Sequence, residues 1–379
     1  MLLSIVSLLN DISSEMVYPL VPLFLAGALG APASIIGVIE GLAEATASVF
    51  KWIFGAVSDR WGRRKPFCVA GYGLSSFMKP LLALAAAWPV VLCARVGDRF
   101  GKGLRTGARD ALIADSTTPE LRGRAFGFHR SGDSIGAVLG PLLAVVLMSS
   151  LQGNYRTAFW LAFVPGLIGT LFVLPVRERA AAPKVRPLFS FAAFRNPPLR
   201  RFLIITLFFT LGNSSDMFLI LRARQIGATA TTAVLLYAVC HLANALSSFP
   251  AGILSDRIGR KGILVAGFFL FGAVYLGFGL ATSVGAMWAL FAAYGFYLAI
   301  TDGVSKALIV DLVDTEDRAS ALGMQAALTG IGALPSSAVA GLLWQRVGPG
   351  AAFLYGAATA TVAAFWLLGS RLRRDEQPN

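Results

Sequence analysis

Apolar runs of about 20 residues, the length of a helix that crosses the hydrocarbon core of a bilayer, recur from one end of this chain to the other. Short breaks rich in Gly, Pro, Lys and Arg separate them. The pattern predicts twelve spans, over residues 1–28, 33–56, 66–88, 89–113, 123–149, 156–176, 199–222, 229–253, 262–283, 285–312, 317–343 and 350–370. Met1-Leu2-Leu3 carries no basic stretch and the first run is as long as a whole span, so it reads as the first helix and not as a cleaved signal peptide. The one long connection, Arg177 to Pro198, is rich in Pro and Arg. It predicts a linker over 177–198 between an N-terminal bundle, 1–176, and a C-terminal bundle with a short tail, 199–379. The expected fold is an all-α polytopic membrane protein with twelve transmembrane helices in two pseudo-symmetric six-helix bundles.

Composition agrees. Of 379 residues, 56% are hydrophobic and 14% charged, well under the quarter or so charged in soluble domains, which excludes a disordered chain. A net charge of +13 would suggest nucleic acid in a soluble protein, but here the cations follow the topology. Twenty of the 33 Lys and Arg fall in, or within three residues of, the connections after spans 2, 4, 6, 8 and 10 and in the C-terminal tail. Four (Arg156, Arg222, Arg224, Arg346) lie in or at the edges of the opposite connections, and nine lie deeper inside spans. The positive-inside bias therefore places both termini and the linker on the cytoplasmic side of a cytoplasmic membrane, with lipid and not nucleic acid as the partner. Cys68, Cys93 and Cys240 stand singly in apolar runs, which predicts buried packing residues and neither a disulfide nor a zinc site.

The sequence repeats itself at an offset near 200. Ser13-Ser14-Glu15-Met16 matches Ser214-Ser215-Asp216-Met217. Gly55 to Lys65 matches Gly252 to Lys261, and Ala111 to Asp115, followed by Glu120 and Arg122, matches Ala307 to Asp311, followed by Glu316 and Arg318. Three matches in the same order predict duplicated halves, an architecture in which a site near the bilayer midplane lies between two bundles that rock against each other. By the same offset, span 1 would start before Met1, where span 7 has Arg200-Arg201. A few further residues, at least one of them basic, are expected upstream.

The loop Gly55-x-x-x-Asp59-Arg60-x-Gly62-Arg63-Arg64 and its second copy, Gly252, Asp256, Arg257, Gly259 and Arg260, resemble the signature that the major facilitator superfamily carries between helices 2 and 3. The small Gly55 suits close helix approach, Gly62 a tight turn, and Asp59 a partner cation. The resemblance spans nearly the whole chain. It implies secondary active transport of a small molecule or ion by a monomer, with no cofactor and no enzymatic step, and it implies that these loops are conformational gates. Gly136-x-x-x-Gly140-Pro141 in span 5 is similar to the glycine-proline motif of the family's antiporters, which implies export. Arg99-x-x-Lys102-Gly103 resembles the family's helix 4 motif, with Lys102 where that motif has glutamine.

Span 4 is crowded with charge. Spacings of three and four put Arg95, Asp98 or Arg99, Lys102, Arg105 and Arg109 along one side of a helix. Each cation facing lipid at the bilayer centre costs about 2.5–3.5 kcal/mol on insertion scales, so these residues must line water or meet acids. At about 1.5 Å per residue, Asp11, Glu44, Arg99 and Asp133 fall near one depth, with Glu15, Glu40, Asp98, His129 and Arg130 within two turns of it. Carboxylates whose protonation changes between states suit proton coupling, and the candidates are Asp11, Glu15, Glu44 and Asp133. In the C-terminal half Asn213, Asp216, Met217, His241, Asn244 and Asp302 are expected to line the substrate cavity. Asp216, Met217, His241 and Asp302 would also form a mixed metal site if their spans converged.

The function expected is proton-coupled efflux by alternating access, with transport of a divalent metal or a small organic anion as the alternative. A sensor or lipid-processing enzyme is the alternative of a different class. The chain has no His-Glu-x-x-His and no P-loop, and its connections hold no additional soluble domain.

Overall fold

The computed structural model describes residues 1–118, 121–178, 192–314 and 317–372, and these fold into helices with no strand among them. In chain order the helices are α1 (Leu2–Val17), α2 (Leu20–Gly27), α3 (Ala33–Trp61), α4 (Lys65–Ala83), α5 (Trp88–Asp115), α6 (Arg122–Ser150) and α7 (Tyr155–Leu171). They continue with α8 (Pro197–Gly212), α9 (Met217–Gln225), α10 (Ala230–Ile258), α11 (Arg260–Leu280), α12 (Val284–Leu312), α13 (Arg318–Arg346) and α14 (Pro349–Gly369). Most of the linker and the end of the tail lie outside the described residues.

Two expected spans are broken. The first stops at Tyr18-Pro19, because proline has no N–H to continue the ladder, and α2 restarts from Pro19. The seventh opens at Asn213–Asp216, so the repeated Ser-Ser-acid-Met motif ends α1 in one half and forms the break between α8 and α9 in the other. Eight stretches, among them α3, α10 and α12, are long and apolar enough to cross a membrane by length and composition. The other four expected spans fall short for separate reasons. α1 and α2 are interrupted, α7 has 17 residues, α4 is 19 residues long with two lysines, and α5 carries the charged series.

The packing is itself repeated. α3 lies on α5, α5 on α4, α4 on α7, α7 on α1 and α1 on α6; their counterparts α10, α12, α11, α14, α8 and α13 pack in the same order. The two sets meet along α3 with α13 and α6 with α10, while α2 touches α9 at the end away from the signature loops. The α3–α13 seam is made of small residues. A Cβ on Gly41 would lie 2.8 Å from Leu334 Cα, and one on Gly341 would lie 2.7 Å from Ala33 O, so glycine is what lets these backbones touch. Cys68 and Cys240 are buried as expected, but Cys93 is exposed on α5.

Candidate functional site

Near the middle of the N-terminal helices, most of the charged residues are satisfied by one another. Glu40 on α3 is 1% exposed and takes Arg95 of α5 in a fork, Nη2 to Oε1 at 2.8 Å and to Oε2 at 2.7 Å. Arg99 Nε pairs with Glu44 Oε1 at 3.0 Å, and Asp98 lies between Arg95 Nη1 at 3.8 Å and Lys79 Nζ at 3.9 Å. Buried charges persist in apolar surroundings only when paired in this way. The cations of α5 do not share one side as the spacing suggested. Arg95 and Arg99 turn to α3 and over the Tyr18 ring, Arg105 turns to Ser75 and the Tyr72 ring of α4, and Arg109 turns towards α1.

A second cluster joins α1, α5 and α6. Arg109 Nη1 donates to Ser7 Oγ at 3.2 Å, Ser7 Oγ donates to Asp133 Oδ1 at 2.6 Å, and His129 Nε2 stands 3.7 Å from Asp133 Oδ2. Asp11, one turn on from Ser7, is within the fields of Asp133, Lys102, Arg105 and Arg109. Glycine makes this crossing possible: a Cβ on Gly136 would meet Asp11 Cβ at 2.8 Å and one on Gly140 would meet Glu15 Cβ at 2.5 Å. The Gly136-x-x-x-Gly140 tract therefore seats the two acids of α1, and α6 runs unbroken through Pro141.

The repeat-related acids Glu15 and Asp216 are each held by a tyrosine. Tyr294 donates to Asp216 Oδ1 at 2.6 Å within the C-terminal half. Tyr237 of α10 donates to Glu15 Oε2 at 3.2 Å, across the boundary between the two halves. Tyr18 stacks on Tyr237 with centroids 5.5 Å apart, its hydroxyl 3.4 Å from Ser215 Oγ, and His241 meets the edge of Tyr237 at 4.5 Å.

The signature motifs begin inside helices. Gly55, Asp59 and Arg60 form the last turns of α3, which ends on Gly62 in the left-handed region at φ 63°; α10 ends likewise on Gly259 at φ 100°. Arg64 bridges Asp59 and Asp115, both at 3.3 Å, and Arg260 bridges Asp256 at 3.7 Å and Asp311 at 2.7 Å. Glu178 accepts from the backbone N–H groups of Arg64 and Lys65, capping the start of α4. A Cβ on Gly55 or Gly252 would meet nothing within 4 Å. The close approach expected of Gly55 is instead made by Gly107, whose Cβ would lie 2.9 Å from Gly55 Cα.

Other candidates stand apart. Lys102, Arg130 and Asp302 are exposed, as are Arg63 and Arg257; Asn213 ends α8, and Asn244 accepts from Ser248. The proposed metal set does not assemble. Met217 is fully buried, Asp216 is taken by Tyr294, and among the described residues no group of three His, Cys, Asp or Glu is placed to hold a metal. Sequence reasoning passed over Ser7, Tyr18, Tyr237, Tyr294 and Glu178, single polar residues without a spacing pattern. Asp115 and Asp311 were visible, since the repeat carried both.

The Major Facilitator Superfamily model matches residues 3–221 and again 202–379. The chain belongs to that superfamily. An uncharacterised MFS-type transporter of Methanocaldococcus jannaschii is 36% identical over 97% of this chain and 93% of its own length. The multidrug resistance protein MdtH of Photorhabdus laumondii is 26% identical over 81% of this chain and 77% of its own. The crystal structure of the nucleoside transporter NupG superposes with a TM-score of 0.82 at 15% identity, covering 97% of this chain and 98% of the other. This superfamily chain is thus a multi-pass membrane protein of a transporter family, not of an enzyme class.

Proposed function

We propose that this chain is a proton-coupled exporter of a small solute, acting as a monomer in the cytoplasmic membrane by alternating access, with both termini and the signature loops in the cytoplasm. The orientation is supported by the excess of Lys and Arg at the signature-loop end, and export by the likeness to a protein named for multidrug resistance. The observation that carries the coupling is the Tyr237–Glu15 hydrogen bond, 3.2 Å between the two halves. A hydrogen bond to a carboxylate is roughly twice as strong as one to its protonated form, so proton binding at Glu15 changes the contact that joins the halves. Glu15 and Asp11 are the proton carriers in this reading, and Asp133 with His129 leads towards them from the cytoplasmic end. Arg64 and Arg260, with their paired aspartates, hold the gate.

The test is uptake of candidate solutes into proteoliposomes under an imposed pH gradient. Glu15→Gln should abolish gradient-driven accumulation and retain exchange without a gradient. Accumulation that survives in Glu15→Gln and Asp11→Asn alike would remove both from the mechanism.

A further inference from the structure

Three ammonium groups stand outside this ionic order. Lys51 on α3, Lys102 on α5 and Lys306 on α12 are exposed, and among the described residues none of their ammonium groups has a hydrogen bond or an ion pair. They nevertheless lie close together. Lys51 is within the fields of Lys306, Arg109 and Lys102, and Lys102 is within those of Arg99 and Arg105. The acids that reach them are mostly committed elsewhere. Asp110, which acts on Lys51, holds Arg109 at 2.8 Å, and Glu44, which acts on Lys102, holds Arg99 at 3.0 Å. Asp11 also acts on Lys102, and Asp302, one turn before Lys306, makes no ion pair with it. The repeat sharpens the point, because Lys306 occupies the place that Asp110 holds in the other half. A cation has replaced an acid where the two bundles face each other.

Like charges facing each other across a water-accessible cleft repel, and an anion between them removes the repulsion and joins the two sides. Gln325, whose amide donates to Ser305 Oγ at 3.1 Å beside Lys306, has a second N–H to offer at the same level. We propose that Lys51, Lys102 and Lys306 form the binding site for the transported solute and that this solute is a small organic anion, its carboxylate or phosphate bridging Lys51 and Lys306 across the bundles. This rests on the transporter reading above and names its substrate class.

The probes are phenyl phosphate, which is permanently charged, and benzyltrimethylammonium as the cation of similar shape. Binding is measured by calorimetry on the full chain in phosphatidylcholine nanodiscs, and counterflow of each probe is measured in proteoliposomes. Phenyl phosphate should bind and the cation should not. Lys51→Gln and Lys306→Gln should each weaken binding at least tenfold, while Lys51→Arg, which keeps the charge, should stay within a few fold and reports on folding. Equal binding by the glutamine variants, or binding of the cation, overturns the proposal. Binding abolished by adding phosphatidylglycerol to the nanodiscs also overturns it, by making the ligand a lipid headgroup. Lysine-dependent binding without counterflow leaves the anion site standing and defeats the transport reading, whereas counterflow of the cation alone does the reverse.

Discussion

Glu40 and Arg95 show what a buried charge demands at the scale of one residue. Both are buried, and the fork is the shortest contact of each, with Arg99 Nη2 3.7 Å from Glu40 and Asp98 3.8 Å from Arg95. Replacing Arg95 by Met alone should destabilise the protein by about 3–5 kcal/mol, because it leaves Glu40 only the longer contact to Arg99, whereas Arg95→Met with Glu40→Leu should recover most of that. Thermal unfolding in detergent compares the two. An additive double variant would mean that the fork is not what holds Glu40. Tyr237 makes a different kind of contact, a single hydroxyl across the boundary. Tyr237→Phe should leave unfolding nearly unchanged yet lower gradient-driven accumulation as Glu15→Gln does. Periodicity marks Glu15 as an acid in an apolar helix, but nothing in the sequence near Tyr237 points to Glu15, 222 positions away.

Glycine separates two roles at the scale of the helix pair. On α6, Gly136 and Gly140 lie hard against the Cβ atoms of Asp11 and Glu15, so Gly140→Leu should push α1 away and cost about 1–3 kcal/mol together with coupling. Gly55→Ala and Gly252→Ala should be nearly silent, since a methyl there meets nothing, although both glycines belong to the signature motif. Gly62→Ala should cost about 1–2 kcal/mol for its left-handed backbone. Melting temperatures of the four variants rank these expectations, and a large loss at Gly55 would contradict the packing. The number and order of the helical spans were legible because the bilayer length fixes an apolar period. The breaks at Tyr18-Pro19 and Asn213–Asp216 were not, because the apolar residues on either side of Pro19 and of the polar run 213–216 add up to one bilayer length. The fan of α5 side chains was hidden too: spacing gives an angle around one helix, but which neighbour supplies a partner depends on α1, α3 and α4.

The two halves of the whole molecule carry the same arginine–aspartate bridge in unequal strength. Arg64 is buried between Asp59 and Asp115, while Arg260 is partly exposed and Asp256 is 70% exposed, so the second bridge is more screened by water. Asp59→Asn should slow transport severalfold with solute affinity kept within a few fold, and Asp256→Asn should do so more weakly. Affinity lost in proportion to rate would contradict a gating role. A proton on Glu15 is expected to govern how the halves meet at the end where α2 touches α9. Spin labels at Ala28 and Gln225, exposed at the tips of these two helices, measure that meeting directly by double electron–electron resonance. A short distance is expected at neutral pH, with a second, longer population that grows on acidification and is already present at neutral pH in Glu15→Gln. A single distance, unmoved by pH and by that substitution, would contradict it.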